Sequence, residues 1–251
     1  MIGLKAVKSQ LKNIWRSQTG HTVSPPIWYT ELKQVKLFFT LSITNSQARK
    51  VDMKRISASA VQYQFWFAEF VQSIGMVVDS GDLSLVRQKI LAENIFQASS
   101  SARLKSETNV VLRRVDSLTP AMRGLFDRLD PVNQRIVNLI AIMNTEQLMY
   151  VFMYDVFRPE LILGDRQIEN YELSAFFKKL PLEHHEAAQW TEQTIRRLQA
   201  TVTHYLRSAQ VVKDYKDALV VQNYLLDERL VAQLQQENHL DYLAILTGRT
   251  S

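Results

Sequence analysis

The side chains best placed to act together in this 251-residue chain are cations. Between Trp190 and Gln210 the apolar residues Ile195, Leu198, Val202, Tyr205, Leu206 and Ala209 share one side of a helical wheel. Arg196, Arg197, His204 and Arg207 fall in an opposite sector about 100° wide. Guanidinium groups presented from one face suit phosphate oxygens, so Arg196, Arg197 and Arg207 are candidate contacts to a nucleic-acid backbone, with Lys213 just beyond them. A solvated helix face produces the same pattern. A second cationic set, Lys105, Arg113 and Arg114, lies off the apolar stripe of an earlier helix, where Arg103 stands at ion-pairing distance in sequence from Glu107.

Other chemistries find little support. His184, His185 and Glu186 have the side chains of metal ligands, but neighbours on a helix point about 100° apart and do not converge. Asp127 with Asp130, and Asp214 with Asp217, are expected to cap and turn rather than to catalyse, because nothing glycine-rich or electrophilic accompanies them. The phosphate-binding loop, the dinucleotide fingerprint and the serine-hydrolase elbow are all missing, and the chain has no cysteine to act as thiol nucleophile, thiolate ligand or disulfide partner. The expectation is a protein without catalysis, metal, cofactor or small-molecule substrate. Phe65, Trp66, Phe67 and Phe70 can in principle stack on bases, but at helical spacing they read as core.

The elements that must position the cations are helices. Apolar periodicity predicts a helix from Val61 to Val78 ending near Ser80-Gly81, and another from Leu83 to Leu91. The serines Ser99 to Ser101 then cap a third, with Leu104, Thr108, Val111, Val115 and Leu118 as its buried stripe. Asp130-Pro131 opens a helix through Met143, Asn144 or Thr145 caps the next, and Pro159 is expected to break that one after Arg158. The basic helix starts at Trp190-Thr191, and Val211 to Asp214 with Leu219 to Tyr224 read as a hairpin across Tyr215-Lys216-Asp217-Ala218. The expected fold is all-α, mainly helical: a helical bundle domain over residues 53–160, then a winged helix-turn-helix-like domain over 161–251 with a short β-hairpin.

The net charge of +5 is unevenly spread. Residues 1–52 hold eight basic against two acidic side chains and lack sustained periodicity, so they read as a separate basic segment, with Met53 as a second candidate start. Residues 136–192 carry four basic against nine acidic, and 193–216 five against one. The alternative function is therefore an interaction scaffold whose acidic stretch docks a basic partner without direct DNA contact. No apolar run approaches the ~20 residues of a membrane span, Met1 to Arg16 is not expected to act as a secretory signal because no apolar block and small-residue cleavage site follow its cations, and the missing cysteines fit a cytoplasmic protein.

Four stretches carry a family resemblance: FWFAEFVQSIGM from Phe65, ILAENIFQASSSARLKSETNVVLRRVDSL from Ile90, EQLMYVFMYDVFRP from Glu146 and WTEQTIRRLQATVTHYLRSAQVV from Trp190. Together they resemble BrxA, an accessory component of BREX anti-phage systems whose members were once labelled inner-membrane proteins, a label this sequence does not support. The resemblance implies a helical, two-domain, non-catalytic protein with DNA as partner, and contacts made mainly to phosphates of double-stranded DNA are expected to give low sequence preference. It also implies a BREX context that includes a methyltransferase, a phosphatase-like protein and ATPases. Two departures stand out. Residues 1–52 have no placed counterpart, and Ser208-Ala209-Gln210 occupies a turn where glycine is common.

Overall fold

A computed structural model describes residues 55–249; the basic segment 1–52 and Met53 lie outside them. The chain opens with a 3-10 turn, Ser59–Gln62, and runs extended to Trp66, which takes a left-handed conformation at φ 46°. Helix α1, Phe67–Ser80, therefore starts six residues later than periodicity predicts. Two buried donors explain the delay. Arg114 donates to the carbonyls of Gln64 and Phe65 at 2.9 and 3.0 Å, and the Asn138 amide donates to Phe65 O at 2.9 Å, so side chains take acceptors that a helix would use.

Helix α2 is Leu83–Glu93, capped by Asp82, and α3 is Ser101–Asp116, capped by Ser100. All five residues of the expected α3 stripe are buried. After the short α4, Pro120–Leu125, Asp130 accepts the amides of Val132 and Asn133 and opens α5, Pro131–Thr145. The next helix, α6 (Gln147–Phe152), has no side-chain cap. Asn144 bonds instead to Ser117 O, and the Thr145 hydroxyl bonds back to Ala141 O. Nor does Pro159 break the helix. A π-turn, Met153–Phe157, carries the chain into α7, Arg158–Leu163, with the proline in its first turn. The Arg158 amide reaches back to Met153 O, so a wider turn precedes the ring that has no amide to give.

Gly164, left-handed at φ 68°, ends α7. Strand β1 (Gln167–Glu169) leads straight into α8, Asn170–Glu183, through a capping box of Glu169 and Glu172. Helix α9, Glu192–Ser208, is capped by Thr191 and followed by the predicted hairpin: β2 (Val212–Tyr215) and β3 (Ala218–Val221) around Lys216-Asp217. The sheet order is β1-β3-β2, antiparallel throughout, with Gln167 opposite Val220 and Tyr215 opposite Ala218. Helices α10 (Glu228–Gln236) and α11 (Leu240–Thr247) close the chain.

The fold is thus mainly helical with one small sheet, and residues 55–249 form one compact unit around a shared core. The end of the chain packs back on its first half. Tyr150 donates to Asp241 at 3.0 Å, Thr119 bonds Glu237, and Asn133 joins Asp130 to Leu225 O and the Asp227 amide. Among the described residues no helix is long and apolar enough to cross a membrane. The apolar rods 131–145 and 147–163 meet at a 114° bend and are largely core.

Candidate nucleic-acid interface

Helix α9 buries Leu198, Val202, Tyr205 and Leu206 against the rest of the molecule and leaves Arg196, Arg197, His204 and Arg207 exposed. On the wheel the exposed sector runs Arg196, Arg207, Ala200, Gln193, His204, Arg197, so its middle is small or uncharged and contains no acid. Glu192 lies at its edge and pairs with Arg196 at 3.4 Å, in a contact where both side chains are well solvated and which contributes little to stability. Arg197 has no ion pair among the described residues. Arg207 donates through Nε (3.0 Å) and Nη2 (2.6 Å) to Asp214 Oδ1, which ties the end of α9 to β2.

The turn that aims the hairpin lacks glycine, and Gln210 takes the left-handed conformation instead, at φ 59°. A further tie comes from Arg135, which sequence reasoning missed. Its Nη1 donates to Ser208 O at 3.1 Å at the carbonyl end of α9, and its guanidinium lies over the Phe67 ring at 4.2 Å. Between the end of α9, the hairpin, the start of α5 and the loop after β3 lies a cleft of about 650 Å³. Arg207, Lys213, Gln210, Gln222 and Asn223 line it, as does Asp130, whose carboxylate is engaged in capping α5.

The second cationic set does not survive intact. Arg114 is fully buried, with no surface to offer a phosphate. It donates to Gln64 O, Phe65 O and the Tyr205 hydroxyl, and lies over the rings of Trp66 and Tyr205. Burial pulls its pKa below the ordinary arginine value, and the same burial pushes the Tyr205 phenol up to about 12. The arc explains the misplacement. Val110 and Leu112, which flank the stripe on either side, are buried too, and an arc that wide encloses Arg114.

Arg113 is half exposed but committed: its Nη2 contacts Glu146 at 2.5 Å, and the guanidinium lies over Tyr63. Burial raises the Glu146 pKa, while Arg113 and Arg114 and a hydrogen bond from Ser59 oppose the rise. Lys105 is exposed, and Arg103 pairs with Glu107 as its spacing suggested. The two sets face apart. Arg114 and Tyr205 meet between α3 and α9, and at 100° per residue Lys105 is about 180° from Arg114 while Arg196 is about 180° from Tyr205. The interface that remains coherent is α9 with its hairpin. Asp127 and Asp217 are solvent-exposed, as turn residues are, and no group of three or more His, Cys, Asp or Glu among the described residues can hold a metal ion.

The BrxA family model matches residues 54–238 of this chain. A relative described as BREX protein BrxA, from Bacillus cereus (strain H3081.97), is 25% identical over 163 residues, covering 65% of this chain and 82% of the relative. Among solved structures, the crystal structure of an uncharacterized protein from Magnetospirillum magneticum matches with a TM-score of 0.61 at 13% identity. The match covers 78% of this chain and 100% of that one, and is a likeness of fold.

Proposed function

The chain belongs to the BrxA family of BREX phage-defence proteins, and from that premise we propose that it is a non-catalytic, cytoplasmic accessory protein that binds duplex DNA through phosphate contacts with little sequence preference. The observation that carries the reading is the cationic outer face of α9, whose one acid, Glu192, lies at its edge, with Lys213 on the adjoining hairpin. The order β1, α8, α9, β2, β3, with all three strands in one antiparallel sheet, supports a winged helix-turn-helix in which α9 lies along the groove. Arg196, Arg197 and Arg207 then contact phosphates, and Lys213 follows the backbone from the wing. The other BREX proteins are the partners this context implies.

The test is a salt titration of binding to a random-sequence duplex of about 25 base pairs, long enough to cover one domain footprint. Arg196→Ala with Arg197→Ala is expected to weaken binding on every sequence alike and to reduce the slope of log K against log salt by about 2, one for each lost phosphate contact. Unchanged affinity and slope remove α9 from the interface. If the unmodified protein does not bind duplex at all, the DNA reading fails and a protein-interaction scaffold takes its place.

A further inference from the structure

We propose that Leu225 is an apolar wedge that enters a base step of the bound duplex; the inference rests on the DNA reading above. Leu225 is 89% exposed, so its side chain adds almost nothing to the core. Its backbone is nonetheless firmly held. The Leu225 carbonyl accepts from Asn133 Nδ2 at 3.1 Å, the preceding Tyr224 donates its hydroxyl to Leu246 O at 2.7 Å, and the Asp227 amide donates to Asn133 Oδ1 at 3.0 Å. Asn223, two residues earlier, is tied to Arg166. A large apolar side chain held out to water on a moored loop loses little conformational freedom when something closes over it.

Charge identifies the occupant. Leu225 lines the same cleft as Arg207 and Lys213, and of the three carboxylates nearby, Asp130 is engaged by α5 amides, Asp214 by Arg207 and Asp227 by Arg229. Cations that line one cleft together with an exposed apolar side chain suit a duplex whose phosphates they hold while leucine, isoleucine or phenylalanine partly unstacks a base step. Leu182, 86% exposed, provides the contrast: it lies on α8 between Lys179 and Glu183, which pair with each other, and takes no part in the cleft.

Insertion unwinds DNA, and unwinding is read without knowing a preferred sequence. A closed circular plasmid is relaxed by topoisomerase in the presence of the full chain, stripped of protein, and its linking number compared with a protein-free control. The expected result is a shift that grows with bound protein, falls by about twofold or more with Leu225→Ala and persists with Leu225→Phe. Because the side chain packs against so little, Leu225→Ala should leave the melting temperature unchanged, so a lost shift is not a lost fold. If the plasmid is bound with no shift, or with the same shift in Leu225→Ala, the wedge is overturned and the DNA reading stands. If the plasmid is not bound, both are overturned.

Discussion

Arg114 is charged, fully buried, and in direct contact with no carboxylate among the described residues. Two backbone carbonyls, a phenol and two ring faces take the place of water around it, although its Nε has no acceptor among the described residues. Removing it strands the Gln64 carbonyl, takes one partner from the Tyr205 hydroxyl, which still donates to Tyr63 O at 3.1 Å, and opens a cavity, so Arg114→Ala is expected to destabilise the fold by about 3 kcal/mol in urea unfolding. Tyr205→Phe, which loses only hydrogen bonds, should cost about 1 kcal/mol. A double-mutant cycle that shows the two effects simply additive would mean that the contact at 3.3 Å carries no energy. The sequence places an arginine pair on α3 but does not say that one turns inward, because the partners of Arg114 lie about 50 and 91 residues away. Arg196 and Arg197 were legible because their neighbours on the same helix define the face they occupy.

At the scale of elements, α9 and its hairpin are joined by the Arg207–Asp214 pair, which stabilises their relative placement and draws charge away from the proposed phosphate site. Asp214→Asn leaves a polar partner and frees the guanidinium's charge. It is expected to raise duplex affinity by a few fold, about 1 kcal/mol, and to steepen the salt dependence. An affinity that falls instead would mean that the pair's geometry matters more than its charge. Amphipathic helices such as α3 and α9 and the β2–β3 hairpin were readable because local period and turn residues specify them. Strand β1 was not: three residues are too few for an alternating pattern, and its register is set by β3, about fifty residues on. The extended run at Tyr63–Trp66 was likewise hidden, since distant donors override its helical periodicity.

For the whole molecule, the shared core and the return of α10 and α11 onto the first half imply that α3 and α9 unfold together. Native-state hydrogen exchange should therefore give the slowest amides of α3, near Val111, and of α9, near Val202, the same opening free energy. A lower value on α9 alone would make residues 161–251 a separate cooperative unit. The sequence gives no signal for this coupling, because Asn133, Thr119 and Tyr150 meet their partners only once the chain has folded back. The π-turn at Met153–Phe157 has a different kind of consequence. One residue more than an α-turn requires advances the helical phase by about 100°, so the buried face of α6 and that of α7 are out of step in sequence along one continuous rod. Measured by phase, this rod is two helices spliced end to end, and homologous chains without the extra residue can be superposed on it only with a one-position gap at the splice.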